Sequence, residues 1–203
     1  MTLEIGTHAI ESERLVLRRI TADDLEFFAR IHADPEVARY IAHGRPRTSA
    51  ETRTWLDAIL TAYSSLSLGQ LAVRRKVDGV LLGRCGITEL SMEAASATGL
   101  PRCWWLREQV PAEVPVTRKH ELGYTFDRDQ WGHGYATEAV RAVLRYVRAL
   151  PPAAPLISVI HPQNLRSERL AAACGARREG SVEFFNQIFD VFGWPAVAPT
   201  PSA

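Results

Sequence analysis

Lysine is nearly absent from this chain. Lys76 and Lys119 are the only two among 24 basic residues, and 23 acidic residues bring the net charge to +1. A chain so balanced has no global field to gather nucleic acid or an acidic partner, and neither is expected. The arginine bias reads first as the base composition of the genome. Cysteine is scarce too. Cys85, Cys103 and Cys174 are odd in number and form no Cys-x-x-Cys pair, which argues against a disulfide framework or a zinc site. Each reads as a small apolar residue for the interior. Histidines such as His32 and His43 are too scattered to gather a metal, so none is expected. The chain lacks a basic-then-apolar leader, and no apolar run approaches the ~18 residues of a membrane span. A cytoplasmic protein with no membrane role is therefore expected. Internal repeats are also absent.

What is present suits one domain. A 46% hydrophobic fraction over 203 residues is ordinary for a globular core. The expected organisation is a single domain, 1–203, with its core over about 13–194, an insertion at 91–119 and a frayed tail at 195–203. Arg14 to Ile20 reads as a strand. Thr21-x-x-Asp24 and Thr48-x-x-Glu51 read as capping boxes opening helices, and Pro35 opens a short helix between them. Gln70 to Val77 and Val80 to Leu90 form a hairpin around Asp78-Gly79. Ser91 to Lys119, rich in Ala, Pro and small polar residues, reads as a long loop, functional or disordered, carrying Trp104-Trp105. His120 to Asp127 is a strand and Tyr135 to Leu150 a helix, with Val140, Val143, Leu144 and Val147 on its buried stripe. Pro151 and Pro152 end it. Ile157 to Ile160 is a short strand, Leu165 to Ala173 a helix stopped by Gly175, and Arg177 to Phe185 with Phe189 to Trp194 a final strand pair. Helices and strands mixed in this way predict an α/β (α+β) domain with a mostly antiparallel sheet.

The most informative words lie between strand and helix, in Asp129-Gln-Trp-Gly-His-Gly-Tyr-Ala-Thr-Glu. Gly132 and Gly134 let the backbone come close to a ligand. The first N–H groups of the following helix have no intrahelical partner and stand at its positive end. A pyrophosphate cradle is predicted over Trp131 to Thr137, comprising Trp131, Gly132, His133, Gly134, Tyr135, Ala136 and Thr137. Two nucleotide-binding patterns fail here. A P-loop needs a lysine after its second glycine. A dinucleotide fingerprint needs a third glycine, where Thr137 stands, and an acid roughly 20 positions on, where Ala153, Ala154 and Pro155 stand.

The same words resemble the acetyl-CoA loop of the GNAT superfamily of N-acetyltransferases, and Trp-Gly-His-Gly-Tyr-Ala-Thr-Glu-Ala resembles its RimJ/RimL-like branch. Trp131 stands where the superfamily usually has Gln or Arg. Three further words fall in the same order: Glu13-Arg-Leu-Val-Leu-Arg-Arg-Ile-Thr-Ala-Asp-Asp-Leu, Asp34-Pro-Glu-Val-Ala-Arg-Tyr-Ile, and Asn164-Leu-Arg-Ser-Glu-Arg-Leu followed by Cys174-Gly175-Ala176. The resemblance leaves out 91–119 and the residues after Trp194. It implies a sheet of about seven strands flanked by helices, splayed between the fourth strand (His120 to Asp127) and the fifth (Ile157 to Ile160). Acetyl-CoA would lie in that gap, as acyl-donor cosubstrate, along the backbone of Tyr124, Thr125 and Phe126, with Asn164 and Ser167 alongside.

Transfer of an acetyl group to an amine needs a base, because an amine of pKa near ~10 is almost wholly protonated at neutral pH. Glu121, His120, Glu89 and Glu183 are the candidates, and Glu121 stands where the superfamily often places its base. Backbone N–H groups near Leu122 to Tyr124 would polarise the thioester carbonyl. For the departing thiolate many relatives use a late tyrosine. No tyrosine follows Tyr146, and Ser167 occupies the place where the RimJ/RimL-like branch carries a serine near the CoA sulfur. The implied function is acetyl transfer to a primary amine of a small molecule or protein N-terminus by a monomer or homodimer. The alternative is a non-catalytic acetyl-CoA-binding regulatory domain on the same fold.

Overall fold

A computed structural model describes residues 9–64, 69–94, 99–105, 107–148 and 155–195. The proline pair at 151–152, the tail from 196 and the segment read for a leader lie outside them. The elements, in chain order, are β1 (Ile10–Glu11), β2 (Leu15–Arg19), α1 (Leu25–Ala33), α2 (Pro35–Ala38), α3 (Ser49–Ala62), β3 (Gln70–Arg75), β4 (Leu81–Glu93), β5 (Cys103–Trp104), β6 (Val116–Phe126), α4 (Tyr135–Arg148), β7 (Leu156–Ile160), α5 (Leu165–Ala173), β8 (Arg177–Phe184) and β9 (Gln187–Gly193).

Local chemistry sets the helix starts. The Asp24 carboxylate accepts from the Thr21 N–H at 2.9 Å, and Asp34 accepts from the Glu36 N–H at 2.8 Å ahead of Pro35. Thr48 and Glu51 cap α3 reciprocally, at 3.2 and 2.8 Å. Asn164 caps α5 through the Ser167 N–H, and Gly175 follows that helix at φ +96.

The strands form one sheet in the order β1-β2-β3-β4-β6-β7-β9-β8, with β5 attached to β4. Every pairing is antiparallel except β6 with β7. The described residues thus hold nine strands where about seven were expected. The extra ones, β1 and β5, are two-residue pairings too short to leave a periodicity in sequence. The insertion also departs from its reading as a loop. Ser91–Glu93 prolongs β4 and 116–119 prolongs β6, paired throughout, while Cys103 and Trp104 pair with Met92 and Ser91. Pairing to a long neighbour overrides the weak strand propensity of this stretch.

The sheet is covered on both faces. On one, α4 and α5 pack Val140, Val143, Leu144 and Ala171 onto Leu17, Val73, Cys85, Ile87, Leu122 and Phe126. On the other, Phe28, Ile31, Trp55, Leu56 and Ile59 of α1 and α3 pack onto Ala72. Beside this second cluster, Leu90, Cys103, Ile157, Val182 and Phe189 form a third. Strand alternation puts Arg84, Gly86 and Thr88 of β4, with their partners Thr125, Gly123 and Glu121 of β6, on the face shared with α1 and α3.

Candidate active site

The site begins where β6 ends. Asp127 accepts from the Asp129 N–H and from Arg30, fixing the turn that follows the strand. Trp131 packs on the α4-side core and donates its indole N–H to the Phe126 carbonyl at 3.0 Å. Gly132 and Gly134 sit at φ +80 and +78, in the left-handed region where a side chain is costly. The first bond of α4 runs from the Glu138 N–H to the Gly134 carbonyl, so the N–H groups of Tyr135, Ala136 and Thr137 precede the intrahelical ladder. Two cations flank this turn. Arg14 is clamped by Glu138 at 2.7 Å and donates to the His133 carbonyl at 3.1 Å, and Arg166 stacks 4.9 Å from the Trp131 ring. The result is an anion cradle of free backbone donors, a helix N-terminus and guanidinium groups.

A gap opens from the cradle into the sheet. β6 and β7 pair only at His120↔Leu156 and Glu121↔Ile157, then part. Beyond the last pair the Ser158 hydroxyl bridges them, donating to the Leu122 carbonyl at 2.6 Å and accepting from the Trp194 indole at 3.0 Å. Since the His120 N–H and the Leu122 carbonyl both face β7, so does the Tyr124 N–H, which points into the opened gap. Tyr124 donates its hydroxyl to the Ser167 carbonyl at 3.4 Å. Tyr124, Thr125, Asn164, Ser167 and Glu121 line one cleft with Arg47, Arg84 and Trp105. Acetyl-CoA fits this set: donors for its phosphates, and a slot with an exposed strand edge for its arm.

Glu121 lies at the inner end of the cleft. Its carboxylate folds back over Gly123, where any Cβ would stand only 3.1 Å from it. Protein encloses it except toward the cleft. Burial raises its pKa to about 7, while the Arg84 charge and the Val159 N–H pull the other way. Burial likewise lowers Arg84 to about 10 and drives the Arg47 pKa down. His32, behind them, falls to about 3 through burial and the charges of Arg47 and Arg84. A carboxyl poised near neutrality can exist in both forms at working pH, which a general base requires.

The other candidate bases separate from it. Glu89 pairs with Arg118 at 3.0 Å in the adjoining outer groove. Neither His120 nor Glu183 lines the inner cleft. His133 is exposed, and Tyr135 and Phe126 bury their rings, so these residues bring only backbone to the cradle. Sequence reasoning missed Arg47, Arg84 and Ser158. Arg84 left one sign: with Gly86 and Thr88 it makes a polar or small stripe in an otherwise apolar strand. It also missed Ala42 and Phe185, non-glycine residues at φ +51 that line both the cleft and the outer groove. Among the described residues no group of His, Cys, Asp or Glu could hold a metal ion, and no helix is long and apolar enough to cross a membrane.

The sequence profile of the acetyltransferase (GNAT) domain matches residues 14–177. The chain belongs to this family. It is 26% identical over 185 residues to an FsC-acetyl coenzyme A-N(2)-transacetylase of Aspergillus fumigatus, covering 88% of this chain and 68% of that one. A GNAT-family acetyltransferase from Bacillus anthracis shares the fold at TM-score 0.66 and 23% identity, over 92% of this chain and 96% of the other. RimL, a ribosomal L7/L12 alpha-N-protein acetyltransferase solved with coenzyme A, superimposes at TM-score 0.66 with 11% identity, over 92% and 96%. The GNAT protein is thus an acyltransferase of a family that uses acetyl-CoA, and the expected fold, splayed sheet included, holds.

Proposed function

We propose that this acetyltransferase, of the RimJ/RimL-like branch, moves the acetyl group of acetyl-CoA directly to a primary amine of a small molecule or protein N-terminus, with Glu121 as base. The enclosed Glu121 carboxyl, shifted to about 7 and facing the same cleft as Tyr124, Asn164 and Ser167, carries this reading. Gly132 to Thr137 and Arg14 hold the phosphates. The Tyr124 N–H faces the carbonyl oxygen as negative charge develops there. Glu121 takes one proton from the ammonium, the amine nitrogen bonds to the acetyl carbon, the carbon–sulfur bond breaks as CoA leaves as a thiolate, and the second proton of the nitrogen passes to that thiolate. Ser167 lies near the sulfur, but a thiol of pKa near ~8.5 leaves without a dedicated acid. The free thiols Cys85, Cys103 and Cys174 fit a reducing compartment, the cytoplasm.

The test is CoA thiol release over a panel of amines with Glu121→Gln. We expect kcat at neutral pH to fall roughly 10²-fold or more with acetyl-CoA affinity retained. Unchanged turnover would remove Glu121 from the reaction, and absence of turnover on every amine would favour a binding module.

A further inference from the structure

We propose that the acceptor is a small amine bearing a carboxylate, which Arg47 and Arg84 hold while the amine faces Glu121. This rests on the acetyltransferase reading above. Surface arginines of this protein pair with acids, as Arg14, Arg45 and Arg178 do. Arg47 and Arg84 are far more enclosed and form no salt bridge among the described residues; the acidic charges that act on them are Glu51 for Arg47 and Glu121 for Arg84. Arg84 gives Nη1 to a neutral acceptor, Gln70 Oε1, at 2.6 Å, and its buried Nε has no hydrogen-bond partner in the protein. The buried Nη1 of Arg47 has none either. The two cations repel each other, and they add to the burial that keeps His32 neutral. Enclosed charge with unspent donors is expensive unless something anionic completes it.

The surroundings say what that anion belongs to. Arg47 lies 5.9 Å from the Trp105 ring and Arg84 5.5 Å from Trp55, so each guanidinium stands against an aromatic wall. Both line the cleft that holds Glu121, beside Thr88 and Trp105. Of the acids lining the adjoining groove, Glu51 pairs with Arg45 and Glu89 with Arg118, and Glu108 stands at its exposed rim. A cleft that sets one carboxyl against two guanidinium groups keeps a surplus positive charge and complements a molecule carrying an amine and a carboxylate. A polyamine or aminoglycoside would place cations against cations.

The experiment measures thiol release with the common L-amino acids, each beside its primary amide, and with spermidine. At least one acid should exceed its amide by roughly tenfold or more in kcat/KM, the size of one charge-assisted bond. Arg47→Gln and Arg84→Gln should each bring that ratio to about one. Amides or spermidine used as well as the acids, or a ratio kept in both variants, would overturn the proposal. Should Arg84→Gln not fold, Arg47→Gln alone decides. Thermal shift of the CoA-loaded protein with N-acetyl amino acids against their amides gives a readout without turnover. Selective stabilisation by the acids, lost in Arg47→Gln, would keep the carboxylate site even if every amine failed as acceptor, whereas turnover without acid selectivity would keep the enzyme and end this proposal.

Discussion

At the scale of single residues, two positions concentrate the physics. Gly134 is confined to glycine by φ +78, and a Cβ there would stand 3.5 Å from Arg14 Nη2. Asp tolerates this backbone better than most side chains, but Gly134→Asp would set its own carboxylate where we propose that the phosphate sits. Acetyl-CoA affinity should drop at least roughly tenfold, since a hydrogen bond to a charged group contributes about 1.5–3 kcal/mol. Calorimetric titration of the folded variant checks this. Glu121 has the opposite problem, a carboxylate kept where water would serve it better. Because its folded pKa is raised to about 7 from 4.5, the native state binds the extra proton between those values, and stability falls as pH rises through that window. Activity has the reverse slope, with kcat/KM climbing as pH passes about 7 and the base forms. Glu121→Gln should therefore unfold at higher denaturant than the wild type at pH 8, by up to roughly 3 kcal/mol, yet lose the pH-dependent rise in rate. Equal stabilities at pH 8 would mean that the carboxylate is better solvated than its enclosure indicates.

At the scale of elements, the parting of β6 from β7 opens the candidate site, and Ser158 bridges the two strands where they part. Its hydroxyl joins the Leu122 carbonyl to the Trp194 indole, all buried. Ser158→Ala leaves a donor and an acceptor unsatisfied, which costs about 1–3 kcal/mol each. We expect a loss of about 2–6 kcal/mol in urea unfolding and a raised KM for acetyl-CoA, because the open edge at Tyr124 is no longer fixed. Nothing in the sequence pointed to Ser158, since a serine in a short apolar strand carries no signal until its neighbours are known. The elements themselves were legible. Thr48 with Glu51, Pro35, Asp78-Gly79 and Gly175 mark boundaries through hydrogen bonds and φ angles that depend on a few adjacent residues. The turn into α4 was legible for the same reason: Gly132, Gly134 and the start of the helix form one local unit. Arg47 and Arg84 were not, because they come from a loop before α3 and from β4 and meet only in three dimensions.

At the scale of the whole molecule, the chain stacks three apolar clusters around one sheet, and the site lies where the α1/α3 cluster and the cluster beneath the insertion meet. Trp105 belongs to both clusters and lines both the cleft and the outer groove. Trp104 instead lies outside those linings, 5.2 Å from the Arg102 guanidinium. The adjacent tryptophans thus divide as an extended backbone requires. The insertion is also tied into the far end of the sheet, where the Glu93 N–H donates to the Arg102 carbonyl and the Glu183 N–H to the Pro101 carbonyl. None of these bonds reaches the Trp131 to Thr137 cradle. We therefore expect the segment to act on the acceptor and on stability, while CoA binding is left alone. Replacing 95–114 by a short Gly-Ser linker removes buried Cys103 from over Leu90, Val182 and Phe189, and should lower the melting temperature. Trp105→Ala is the finer cut. Truncation of a packed aromatic costs about 3–5 kcal/mol when fully buried, and the partial burial of Trp105 places it below that range. Both changes should leave the calorimetric affinity for acetyl-CoA within about twofold of wild type, inside the scatter of such measurements, while shifting the ranking of acceptor amines. An unchanged acceptor ranking in folded Trp105→Ala would strip the insertion of any part in selection, and a lost affinity for acetyl-CoA would mean that the two halves of the cleft are coupled through the sheet.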